Sequence, residues 1–347
     1  MRPPPILSNE ENKTSMKRNF LSAALLLGVS GMIAQAQNHA PYAPFTAKQA
    51  ELGKQLVNTS LEVRKQITDG AAPAEPFKII GNLYFVGNAN GEVFLLTSPQ
   101  GHILMGAGSA SSAESVQKNI ESLGFKLTDI KAILVNHNHG DQTGGAAYLK
   151  EKSGAPLMAG FGEIPFIEHG MFNPPAIPRP PAEGKAGRGG GPPGYPAAKV
   201  DRALFDGDVV KVGPLSVTTY LIPGHSPSST TFAYTVKDGG HNYKVVEFCC
   251  WEYPDDLSTN AYITEASVRH TFDTFAKLYP VDIYLELGSY GWGGVLNQPS
   301  GTRAERMAKL KADPKLFINR EIFNEFSAAR EVEFEEKLPQ LKIHTHD

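Results

Sequence analysis

The chain has 347 residues, 41% hydrophobic and 20% charged, with a formal net charge of -3. That is ample material for a buried core in one large α/β domain or two smaller ones, and the lack of a basic surplus excludes partners held by bulk attraction, such as nucleic acid or acidic lipid. The two cysteines are neighbours, Cys249 and Cys250, which excludes a disulfide framework because adjacent cysteines bond only through a strained ring.

Met16-Lys17-Arg18 precedes an apolar run over 20–33 that ends in Ala34-Gln35-Ala36. A basic start, an apolar centre and a small-residue exit have the order of a secretory signal peptide, and the run is short for a membrane span. Cleavage after Ala36 is therefore expected, with residues 1–15 as an upstream extension; a retained anchor is the alternative. The expected domains are residues 1–36, removed on export, and 37–347, a single mature domain that is periplasmic or secreted.

Residues 46–68 are mostly helix formers with Leu52, Leu56, Val57 and Leu61 at helical spacing, which predicts an amphipathic lead-in helix. Short β-rich runs follow at 77–80, 83–86, 93–97 and 102–105, separated by Gly-Asn, Asn-Gly and Pro-Gln-Gly turn signals, and read as a meander of strands. Val116, Ile120 and Leu123 then share one helical face over 112–123, with Gly124 where a C-cap belongs. The branched run 130–135 closes a β-α-β unit, so its two strands should be parallel. At its end it delivers His137, His139 and Asp141 onto one loop, at alternating positions that can converge on one ion.

A helix is predicted over 143–151 and a strand over 155–159. Residues 173–199, loaded with Pro and Gly, read as a mobile loop, either a flap over a site or a tolerated surface insertion. Asp206-Gly207-Asp208 is a turn, 209–212 and 216–222 are strands, and Pro223-Gly224-His225-Ser226 turns sharply at a strand end. Strands at 230–236 and 243–248, a helix at 268–278, a strand at 281–287 and helices at 303–311 and 320–338 complete the pattern. Strands followed by helices occur twice, which predicts two similar halves packed sheet to sheet.

Neutral imidazoles suit zinc, and a catalytic zinc takes three protein ligands and keeps one position open. His137, His139 and His225 supply that count. Water on such a metal has a pKa of about 7, so a hydroxide nucleophile is available at neutral pH. Asp141 would either bind a neighbouring metal or orient that hydroxide and pass a proton.

His137-Asn138-His139-Gly140-Asp141-Gln142 with the distant Pro223-Gly224-His225 resembles the H-x-H-x-D-H and P-G-H signature of the metallo-β-lactamase superfamily. Pro76-Phe77-Lys78-Ile79, Gly101-His102-Ile103-Leu104, Val200-Asp201-Arg202, Asp206-Gly207-Asp208 and Leu316-Phe317-Ile318-Asn319 look closest to the third subclass of class B. The resemblance implies an αββα sandwich of two mixed β-sheets flanked by helices, metals in the cleft between the sheets, and hydrolysis of a β-lactam amide by metal-bound hydroxide. The alternatives are a hydrolase of the same fold acting on lactones, thioesters or other esters, and a non-catalytic binding protein that retains the fold. A small-molecule substrate is implied, with no nucleic acid and no membrane after signal cleavage; the oligomeric state is left open.

The chain departs from the family where a second zinc would sit. The final motif histidine is Gln142, whose neutral amide is a poor zinc ligand. Gly288 aligns with another ligand histidine, and Met105-Gly106-Ala107-Gly108 replaces a stretch that usually carries an aspartate. One firmly bound zinc is expected on His137, His139 and His225, with the second position empty or differently built. Asp141 and Cys250 are its candidate weak ligands, Cys250 being alternatively a small hydrophobe at a strand end. Ser226, Ser228 and Tyr290 are candidate substrate contacts; the serines equally suit the turn, and Tyr290 suits packing at the rim.

Overall fold

Branched and aromatic residues in short alternating runs build two sheets in the computed structural model, which describes residues 73–88, 91–170, 194–249, 253, 257, 263–287 and 303–341. The expected export signal and lead-in helix, the greater part of the Pro/Gly loop, and Cys250, Gly288 and Tyr290 lie outside the described residues. The first sheet takes its seven strands in chain order: β1 (Phe77–Ile80), β2 (Leu83–Phe85), β3 (Phe94–Leu96), β4 (His102–Met105), β5 (Ile130–Val135), β6 (Leu157–Gly160) and β7 (Arg202–Leu204). Pairs from β1 to β4 are antiparallel and those from β4 to β7 are parallel. The switch follows the connections, because tight turns reverse the chain whereas parallel neighbours need a long crossover. The crossover from β4 to β5 is the helix α1 (Ala113–Ser122), whose exit at Gly124 takes a positive φ.

The second sheet runs in the order β12, β11, β10, β9, β8, from β8 (Val209–Val212), β9 (Leu215–Leu221), β10 (Thr230–Asp238), β11 (His241–Cys249) and β12 (Ile283–Leu287). Its first four strands are an antiparallel meander, and β12 lies parallel to β11.

Period-two alternation sorts the side chains. Along β5, Ala132 and Leu134 face the second sheet, in a core with Phe85, Phe94, Val217, Phe232 and Leu285, while Ile133 and Val135 face outward. The outward face is covered by Val116 and Ile120 of α1 and by Ala146 and Leu149 of a helix over Ala146–Ser153. On the far side, Val246, Phe248 and Tyr284 are covered by Phe272 and Phe275 of a helix over Glu265–Leu278 and by Phe323 and Phe326 of one over Ile322–Lys337. The molecule is thus an αββα sandwich with three apolar layers. Each fully buried large side chain in them contributes about 1.5–3 kcal/mol.

Two elements fall where the sequence showed none: a helix over Ile164–His169 and the edge strand β7. A third differs in form. The single helix expected over 143–151 is a one-turn helix, Gly140–Thr143, followed after Gly144 and Gly145 by the helix Ala146–Ser153. The pair of glycines is required by close approach: a Cβ on Gly145 would sit 2.2 Å from the Ala107 carbonyl oxygen, and one on Gly144 2.4 Å from that of Gly140. With the helices now in chain order, α2 is Gly140–Thr143, α3 Ala146–Ser153, α4 Ile164–His169, α5 Glu265–Leu278, α6 Arg303–Ala312 and α7 Ile322–Lys337.

Candidate metal centre

The C-terminal ends of the parallel strands open onto one end of the sandwich, where functional groups collect in α/β sheets. β5 ends at Val135 and the chain runs directly into Asn136, His137, Asn138 and His139, the last being the N-cap of α2. From the other sheet, the turn between β9 and β10 brings His225. The two strand ends are tied by Thr230 N–H donating to the Asn136 carbonyl at 2.8 Å.

His137, His139 and His225 converge. Their nearest nitrogens lie within 4.8 Å of one another, and their ring centroids are 4.4 to 4.8 Å apart. Nitrogens bonded at about 2.0–2.1 Å to one tetrahedral zinc need a mutual spacing of this order. His225 Nε2 and His139 Nδ1 are 2.8 Å apart. At that distance one ring donates its N–H to the other, and a cation that takes the place of that proton would draw on both lone pairs.

His137 is fully buried, and burial first, then the neighbouring His139 and His225, hold its pKa well below the usual imidazole value. It is therefore a neutral ring with a lone pair to give. Its Nδ1 lies 2.9 Å from Asn136 Oδ1, and a donor role there makes Nε2 the lone-pair nitrogen, the one that binds a metal. Among the described residues, the donor set fits one ion with three imidazole ligands.

The remaining expected residues are placed as follows. Asp141 lies in the first turn of α2, half-buried, on the same loop as the two histidines but outside the converging trio. Gln142 is fully buried, with both side-chain amide atoms without a hydrogen-bond partner, and its backbone carbonyl accepts from Ala107 N–H. The stretch Met105-Gly106-Ala107-Gly108 thus meets the motif loop through its backbone. Ser226 and Ser228 are buried at 3% and 1% exposure, and their hydroxyls are engaged with Glu163. Their oxygens turn inward onto Glu163, within the turn that carries His225.

Glu163 and Tyr195 went unnoticed in the sequence. Glu163, at the N-cap of α4, is fully buried; its Oε2 accepts from Asn138 N–H at 3.0 Å, and its Oε1 accepts from Ser228 N–H at 2.7 Å and Ser226 Oγ at 2.8 Å. Burial raises its pKa, and the donated hydrogen bonds oppose that rise. Tyr195 Oη donates to the Asn138 carbonyl at 2.6 Å, and burial followed by the Glu163 charge pushes its phenol upward. The one available sequence signal was a carboxylate just past the end of a parallel strand.

A family model described as the metallo-beta-lactamase superfamily matches residues 86–238, a span that holds His137, His139 and His225. The structure is similar to that of BJP-1, a subclass B3 metallo-beta-lactamase of Bradyrhizobium japonicum, with a TM-score of 0.61 and 31% identity over 79% of this chain and 97% of that one. The chain belongs to the metallo-beta-lactamase superfamily. Another similar member of the superfamily is the metallo-beta-lactamase of Cronobacter sakazakii described by its HARLDQ motif, with a TM-score of 0.63 and 26% identity over 78% of this chain and 96% of that one. That motif ends in the same Asp-Gln pair as Asp141-Gln142. Among curated superfamily relatives, a hydroxyacylglutathione hydrolase of Rhodopseudomonas palustris is 30% identical over 115 residues, 33% of this chain and 32% of the relative. The chain spans less than half the length of the curated relatives it matches.

Proposed function

We propose that this superfamily member is an exported zinc-dependent hydrolase that opens the amide bond of β-lactams. The observation that carries the metal assignment is the convergence of His137, His139 and His225 at the mouth of the sandwich. A bound zinc ion supplies Lewis acidity toward a scissile carbonyl and makes water acidic enough to attack at neutral pH. The chain's own residues do the rest. Asn136 fixes the His137 ring, burial keeps that ring neutral, and Asp141 takes a proton from the attacking water and passes it to the departing nitrogen. The N-terminal signal pattern supports export. Among the described residues no helix is long and apolar enough to cross a membrane.

The β-lactam assignment is supported by the similarity to subclass B3 structures and by the HARLDQ motif, which pairs a terminal glutamine with the name metallo-beta-lactamase. A second reading, hydrolysis of thioesters, lactones or other esters, is favoured by Gln142 and by the hydroxyacylglutathione hydrolase relative. A better leaving group needs less help from a second metal. Mass spectrometry of the purified mature protein supplied with zinc should find one tightly held ion per chain, lost in His225→Ala; protein without metal would contradict both readings. Gln142→His combined with Gly288→His should raise the content toward two, and unchanged stoichiometry would remove Gly288 from the second site.

A further inference from the structure

The two loops that carry the imidazoles come from different sheets, 86 residues apart between His139 and His225. Among the described residues, Glu163 is a side chain that bridges them. It receives Asn138 N–H from the first loop and Ser226 Oγ and Ser228 N–H from the second, one loop on each carboxylate oxygen. Further contacts reinforce the bridge. Ser228 Oγ donates to Glu163 Oε1 at 3.3 Å and accepts from Gly162 N–H at 2.8 Å, and Ser226 Oγ lies 2.6 Å from Ser229 Oγ. Tyr195 holds the other end of the Asn138 residue through its carbonyl. The backbones also meet, since a Cβ on Gly160 would stand 2.4 Å from the Ser228 carbonyl oxygen.

We infer that Glu163 is a positioning residue: its two carboxylate oxygens join the His137-Asn138-His139 loop to the Pro223-Gly224-His225 turn as one unit and so hold the three imidazoles at ligand spacing. This rests on the metal reading above for its consequence, though not for the joint itself. Asn138 and Ser228 each present a backbone N–H in a fully buried place, and each must find an acceptor. A carboxylate offers acceptors on both oxygens, whereas an amide of the same shape offers one. In Glu163→Gln, whichever way the amide turns, an NH2 group faces one of the two backbone donors and that loop comes loose.

The test uses Glu163→Gln beside Phe323→Leu, a core change on α7 that lowers stability away from the centre. Amide hydrogen exchange of the zinc-free proteins should show Asn138 and Ser228 N–H protected in the wild type and in Phe323→Leu, and at least one of them losing protection in Glu163→Gln. Competition with a chromophoric chelator should then give a zinc dissociation constant raised about 10–100-fold in Glu163→Gln, the scale of losing a group that orients a metal ligand, and unchanged in Phe323→Leu. Exchange that is the same in Glu163→Gln and wild type overturns the joint. Lost protection with unchanged zinc affinity overturns its role in ligand spacing. A wild-type protein that binds no zinc counts against the metal reading alone, and the exchange rates still decide the joint.

Discussion

At the scale of single residues, the site is built from groups whose burial fixes their charge. His137 is neutral because it is buried beside two other imidazoles, and a neutral ring is the form that binds a metal. Glu247 shows the same physics without an obvious task. It lies on the β11 face turned to the inter-sheet core, diagonal to Tyr234 across the β10–β11 pairing, and burial pushes its pKa well above the carboxylate range. The folded protein therefore keeps Glu247 protonated where the unfolded chain would ionise it. With more protons bound in the folded state, its unfavourable linkage is absent below about pH 4.5 and grows as pH rises toward the folded pKa. Glu247→Gln, uncharged in both states, should raise the melting temperature at pH 7.5, by a gain that shrinks as the pH approaches 4.5. A melting temperature equal to wild type at both pH values would show that the carboxyl carries no such cost.

At the scale of elements, the placement of the histidines was legible because it depends on local pattern. The branched run Ile130–Val135 announces a buried strand, and the residues just past a parallel strand lie at the sheet's functional end. His225 was legible through the Pro-Gly turn before it. Glu163 was not, because its partners lie 25 to 65 residues away and nothing local marks the pairing. The break between α2 and α3 was missed for a related reason: Gly144 and Gly145 read as tolerated helix residues until the Ala107 carbonyl is seen against them. Gly145→Ala should destabilise the fold by about 1–3 kcal/mol, the scale of forcing atoms into packed space, and should weaken zinc binding because α2 carries His139 as its cap. By contrast, Thr264→Ala removes the capping box of α5 on the far face and should cost about 1 kcal/mol with zinc affinity unchanged. Denaturant unfolding and chelator competition on both variants separate the two cases.

At the scale of the whole molecule, two halves packed sheet to sheet were legible from the repeated order of strands then helices, and the helices flanking them were implied by the family resemblance. The parallel pairing of β12 with β11 is a long-range choice that no local pattern specifies. Both sheets contribute to the centre, so metal binding and sheet packing are linked. An ion that binds only the folded state stabilises it by about 2.7 kcal/mol when present at a hundredfold excess over its dissociation constant. Chelation should therefore lower the melting temperature of the wild type and leave that of His225→Ala unmoved. Turnover tests the proposed zinc-dependent hydrolysis of β-lactams directly. Penicillin, cephalosporin, carbapenem, lactone and thioester reporters should be assayed with the mature protein and with His225→Ala, each with and without a chelator. A zinc-dependent β-lactamase should show β-lactam hydrolysis that the chelator abolishes and that His225→Ala lacks. β-Lactam turnover that survives both would contradict the metal centre, and turnover confined to the esters and thioesters would contradict the substrate.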